Sequence, residues 1–136
     1  MYREIRSPRK RHRLSNKEWV PVYIQDIERA RSWVGRIEQA MRTDPDFQKT
    51  IYKRRMLRTI RSVQEMMPRD LKELKKLDAL SEDLLDADNR WRKEQIQFLK
   101  SVADDPDLQN PKLQSNLRTQ IEKHKEEVRN NDRALQ

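Results

Sequence analysis

The sequence predicts an all-α protein: two helical hairpins forming an elongated bundle or coiled coil, preceded by a basic extended arm. Three observations point there. Charged residues make up 40% of the chain and hydrophobic residues 34%, a balance suited to long helices that each bury one narrow stripe. Apolar residues recur at steps of three and four. A single glycine in 136 residues leaves few of the positive-φ turns on which strand hairpins rely.

The predicted divisions are an arm over residues 1–18, a first hairpin over 19–67 and a second over 68–136. The arm reads MYREIRSPRKRHRLSNK, and its first 17 residues hold seven Lys/Arg against one Glu. It has too few apolar residues to order itself without a partner. Ser15 and Glu18 have capping-box spacing, but Pro21 is expected to limit that box to one turn and to start the first helix itself. Val20, Tyr23, Ile27, Ala30, Val34, Ile37 and Met41 then alternate steps of three and four, as in a coiled-coil seam. Thr43-Asp44-Pro45-Asp46 ends this helix and caps the next. The second stripe is Tyr52, Met56, Ile60, Val63 and Met67, flanked by Phe47 and Leu57, and Pro68 is expected to interrupt or kink the chain after Met67.

A long third helix is expected over 70–103, carrying Leu74, Leu77, Leu80, Leu84, Ala87, Trp91, Phe98 and Val102 with Leu71 and Leu85 beside them. A second Asp-Pro-Asp follows at Asp105-Pro106-Asp107, and a final helix over 111–134 has the seam Leu117, Ile121, His124, Val128, Asn131 and Leu135. DPDFQ (44–48) and DPDLQ (105–109) are read as one good helix-start signal used twice, because nothing else aligns between the halves. At ~1.5 Å per residue the third helix would span about 50 Å against about 33 Å for the first. Such an overhang needs another surface, so Leu84, Trp91, Phe98, Leu117, Ile121 and Val128 are assigned to contacts with a partner subunit or a second copy.

Much chemistry is excluded. Without cysteine there are no disulfides, thiol nucleophiles, iron–sulfur clusters or Cys-based zinc sites. Glycine-rich phosphate loops are absent. His12 and His124 are the only histidines; neither belongs to a Glu-x-x-His pair, and His124 falls on a seam, where it sets register. Asp78, Glu82 and Asp86 have metal-like spacing but no turn or histidine to close a site, and read as a solvated face. No catalytic residue, cofactor, metal or small-molecule substrate is therefore expected. No apolar run approaches a membrane span and no signal-peptide core follows Met1. The expected setting is intracellular, cytoplasmic or nuclear, or within a virion or other large particle.

What remains is charge. Residues 1–17 carry a net +6, residues 18–67 carry +3 and residues 68–136 carry −1. Ser7-Pro8-Arg9-Lys10 resembles the Ser-Pro-basic-basic repeats of histone tails and also fits a proline-directed kinase site, where phosphate would remove up to two charges. Lys10-Arg11-His12-Arg13 resembles a nuclear localisation signal. Arg3, Arg6, Arg9, Lys10, Arg11, Arg13 and Lys17 of the arm, with Lys53, Arg54, Arg58 and Arg61 of the second helix, are the expected contacts to a phosphate backbone. Those helix-two cations have a competing explanation: pairing with the acidic run Asp78, Glu82, Asp83, Asp86 and Asp88. Trp19 and Tyr23, at the end of the arm, read as core and staple rather than as base-stacking residues. The functional expectation is a non-enzymatic, nucleic-acid-associated architectural or assembly subunit of a ribonucleoprotein, packaging or virion complex, binding DNA or RNA without sequence preference. The alternative is a protein–protein adaptor whose seams bind partner proteins and whose arm is a targeting or docking tail.

Overall fold

The computed structural model of the protein describes residues 14–136, and all of their regular structure is helical. Four α-helices, α1 (Asn16–Thr43), α2 (Thr50–Lys76), α3 (Glu82–Ala103) and α4 (Pro111–Leu135), are joined by short 3-10 turns at Pro45–Gln48 and Pro106–Leu108 and by a bend over 77–81. The chain is an all-α bundle.

Ser15, not Pro21, opens α1. Its hydroxyl accepts from the Glu18 amide at 3.3 Å and donates to the Glu18 carboxylate at 3.1 Å. Pro21 sits inside the helix, where its missing N–H forfeits only the bond to the Lys17 carbonyl in the first turn. The seam then buries as the spacing requires: Ile27 and Val34 are sealed, Met41 nearly so, and Val20, Tyr23, Ala30 and Ile37 pack beside them. Trp19 stacks on Tyr23 with ring centroids 5.6 Å apart, and both rings are half-buried.

The two Asp-Pro-Asp segments build the same turn. Asp44 Oδ1 accepts from the Asp46 amide and Asp105 Oδ1 from the Asp107 amide, each at 2.9 Å. Each turn ends in a glutamine that reaches back: Gln48 Nε2 donates to the Met41 carbonyl at 2.7 Å, and Gln109 Nε2 to the Ala103 and Asp105 carbonyls at 3.0 and 2.7 Å. Carbonyls left orphaned at a helix C-terminus are thereby satisfied.

The long helix expected over 70–103 is instead divided. α2 continues through Pro68 to Lys76, beyond the boundary at 67 that the proline suggested. Pro68 is exposed, while Met67 and Leu74 on either side of it are fully buried. That burial outweighs the ~3 kcal/mol cost of a mid-helix proline. The helix ends at a Schellman motif: the Ala79 amide donates to the Leu74 carbonyl at 2.9 Å and the Asp78 amide to the Lys75 carbonyl at 3.1 Å, with Asp78 left-handed at φ 54°. Ser81 then caps α3 by accepting from the Leu84 amide at 3.2 Å. The four helices have 28, 27, 22 and 25 residues, so the overhang on which the expected self-association rested is absent.

The hairpins α1–α2 and α3–α4 lie side by side in the same sense. Arg31 meets Asp88 and Glu38 meets Gln95, so α1 and α3 run parallel. Arg54 faces Lys112 along one groove and Pro68 faces Glu127 along the next, so α2 and α4 run parallel too. Both Asp-Pro-Asp turns therefore sit at one end. Lys53 Nζ ties the second of them to α2 by donating to Asp105 at 2.8 Å and Asp107 at 3.4 Å.

Asp78 is exposed, and exposure alone would make it indifferent to substitution. Its positive φ argues otherwise. Asp78→Val should lower the unfolding free energy by about 1–2 kcal/mol, because a β-branched side chain is strained in the left-handed region. Asp78→Gly should be neutral or mildly stabilising. Paired urea melts check both.

Candidate nucleic-acid interface

The basic cluster of α2 divides into two environments. Arg54, Arg58 and Arg61 recur one turn apart and line a groove of about 230 Å³ against Lys112, Asn116 and Gln120 of α4. No Asp or Glu lines this groove. Arg54 and Arg58 are exposed, and Arg61 pairs along its own helix, Nε to Glu65 Oε1 at 3.2 Å. Arg55 lies over the Tyr52 ring at 5.9 Å. Lys53 points elsewhere. It is buried and held by Asp105 and Asp107, which removes it from any surface that could meet phosphate. Its hydrogen bond to Asp105 raises its pKa. At Asp105, burial pushes the carboxyl up, but Lys53 and the Asp107 amide outweigh it and the net shift is down. The pair stays ionised.

The remaining sequence-derived residues are placed as follows. Arg3, Arg6, Arg9, Lys10, Arg11 and Arg13 lie outside the described residues. Lys17 is exposed in the first turn of α1. Of the six residues assigned to a partner interface, Trp91 and Leu117 are buried in this chain's own core and Leu84, Phe98 and Ile121 pack against it; Val128 is half-buried. These seams close on one another within the bundle. Asp88, counted with the acidic run, is not on the surface at all: it is 0% exposed. The cations of α2 pair instead with Glu65, Glu73, Asp105 and Asp107.

Asp88 is the centre of a network the sequence did not disclose. Its Oδ2 accepts from Arg92 Nε at 2.7 Å and from Asn131 Nδ2 at 2.8 Å, and its Oδ1 from Arg31 Nη2 at 3.2 Å. Asn131 also donates to Asn89 Oδ1 at 3.0 Å, and Asn89 to Asp132 at 3.0 Å. Both guanidinium carbons lie within 6 Å of the Trp91 ring centre, at 5.8 and 5.9 Å. Arg92 Nη1 meets His124 Nδ1 at 3.1 Å. A guanidinium can only donate, so Nδ1 accepts and the proton of the neutral imidazole sits on Nε2. Two signals were available in the sequence: Asp88 and Arg92 stand four apart on the face of Trp91, and the α4 seam is polar at His124 and Asn131.

No protein-family model, characterised protein or solved structure matches this chain. Among the described residues, no helix is long and apolar enough to cross a membrane, and no cluster of three or more His, Asp or Glu could hold a metal ion.

His124 also makes stability depend on pH. Burial, reinforced by the Arg92 charge and opposed by Asp88, lowers its pKa from 6.5 to about 4. Between those values the unfolded chain binds a proton there and the folded chain does not, so folding weakens as pH falls through this window. The contribution is present in full above pH 6.5 and is lost by pH 4, a change on the order of 3 kcal/mol. Glu38, whose pKa burial raises, works in the opposite sense. A difference curve isolates the histidine: denaturant midpoints from pH 7 to 4 should fall more steeply for the native protein than for His124→Gln, whose amide oxygen can still accept from Arg92. Parallel curves would contradict the assignment.

Proposed function

We propose that the protein is a non-enzymatic subunit that binds nucleic acid through the phosphate backbone, without reading base sequence, and contributes an architectural or assembly role in a larger complex. The observation that supports this most directly is the groove between α2 and α4, which brings Arg54, Arg58, Arg61 and Lys112 together and has no carboxylate in its walls. Surface cations in proteins are usually interspersed with anions; a one-sign groove concentrates field and draws polyanions. The arm adds six Lys/Arg over residues 1–13 against Glu4. Arm and groove together supply a diffuse, non-specific affinity dominated by counterion release.

The test is the salt dependence of binding to duplex DNA. Deleting residues 2–13 leaves the Ser15 cap in place and should not affect folding. If six cations meet phosphates, the slope of log K against log salt should lose about five units, at roughly 0.9 per contact. Arg54→Ala with Arg58→Ala should reduce it by about two more, with an unchanged melting curve because both side chains are exposed. An intact protein that binds neither DNA nor RNA at low salt would overturn the proposal. The adaptor reading would then take over, with the exposed Trp33, Ile51 and Met66 as its apolar contacts.

A further inference from the structure

Arg54, Arg58 and Arg61 are the first half of a longer feature. At the same spacing of three and four, α2 continues through Glu65 to Arg69, Lys72 and Lys76, so all of these positions fall on one ridge of the helix. Glu65 is the only acid on that ridge, and it is paired with Arg61 at 3.2 Å. Arg54, Arg58, Arg69, Lys72 and Lys76 are exposed. Lys76 meets Glu73 at 3.3 Å, a surface pair of the kind that contributes little to stability and leaves the ammonium open to a stronger anion.

The ridge is long, and its charge is divided. At ~1.5 Å per residue it extends about 33 Å, enough to cross a groove of a double helix and reach the backbone on either side. Its exposed cations form two groups, Arg54 with Arg58 and Arg69 with Lys72 and Lys76. Between Arg58 and Arg69 lie about 16.5 Å of helix, in which Arg61 and Glu65 neutralise each other. A single strand followed along its length would be matched by an unbroken row of cations. Two groups separated by a neutral gap match two backbones separated by a groove, and the major groove of B-form DNA is about 12 Å wide. An RNA duplex, whose major groove is deep and narrow, does not offer that separation. We propose that α2 lies across the major groove of duplex DNA, with Arg54 and Arg58 on the phosphates of one strand and Arg69, Lys72 and Lys76 on those of the other. Duplex DNA as the partner rests on the backbone-binding reading above and narrows it.

The salt dependence of binding tests this with two double variants that remove equal charge: Arg69→Gln with Lys72→Gln at the far end of the ridge, and Arg118→Gln with Arg129→Gln on α4, outside the groove. All four side chains are exposed, so neither variant should change the melting temperature. On a DNA duplex of about two turns, the Arg69/Lys72 variant should lower the slope of log K against log salt by about two units, at roughly 0.9 per contact. The Arg118/Arg129 variant should leave that slope nearly unchanged. On an oligothymidylate and on an RNA duplex of equal length, the Arg69/Lys72 variant should lower the slope by less than about one unit. Equal loss from the two variants on duplex DNA overturns the assignment, since net charge and not the ridge would then drive binding. A two-unit loss on the single strand or the RNA duplex also overturns it, because the ridge would then follow any polynucleotide. A DNA slope that responds to Arg54→Ala with Arg58→Ala but not to the Arg69/Lys72 variant overturns the crossing while the groove reading stands. Binding of none of the three probes overturns both.

Discussion

The bundle depends on one buried carboxylate. Asp88 has no exposure to water, and an unpaired charge in that position would be prohibitively unfavourable. It is tolerated because three helices send donors to it: Arg31 from α1, Arg92 from α3 and Asn131 from α4. Apolar seams are permissive, since a helix can slide by a turn and still bury leucines. A carboxylate that needs particular donors is not permissive. The network therefore sets how α1 lies along α3 and how α4 returns along α3. Trp91 lies against both arginines, joining the polar cluster to the apolar core. Gln64 and Gln95, hydrogen-bonded at 2.7 Å, make a buried polar contact between α2 and α3.

Fixing those registers also shapes the surface. Arg92 is held on one edge by Asp88 and on another by His124, and it lines the cavity between α2 and α4. The parallel course of α2 and α4 puts Arg54, Arg58 and Arg61 opposite Lys112. The Lys53 pairs with Asp105 and Asp107 hold the start of α2 against the second turn, at the end of the bundle where Arg54 enters the groove. A buried structural network and an exposed cationic groove are thus adjacent parts of one arrangement. No carboxylate lines the groove itself; Glu65 pairs with Arg61 at its edge, and Arg54 and Arg58 are exposed.

Much of the fold was legible because it is written in local patterns. The α1 seam, the two Asp-Pro-Asp turns and the all-helical character all follow from spacing and capping. The errors came where a local rule met tertiary packing. Pro68 suggested a boundary, yet buried Met67 and Leu74 carry α2 across it. The true boundary at Asp78 was obscured because its left-handed residue is not glycine, although Ser81-Glu82-Asp83 is a good helix start. Among the charged residues, side-chain type could not separate Lys53, buried and paired, from Arg54, exposed in a groove, though they are adjacent in sequence. The Arg31–Asp88 pair spans 57 positions, and no periodicity reveals such a partnership. The polar residues His124 and Asn131 looked like a weak seam and are the α4 half of the network.

Denaturant unfolding of Asp88→Asn measures how far Asp88 anchors the bundle. The substitution keeps the side chain's shape and leaves the Arg31 and Arg92 charges without their anion. Stability at neutral pH should fall by about 3–5 kcal/mol, whereas Asp107→Asn at the exposed end of the Lys53 pair should cost less than about 1 kcal/mol. An Asp88→Asn protein within about 1 kcal/mol of the native chain would show that the apolar seams set the register alone, and would contradict the claim.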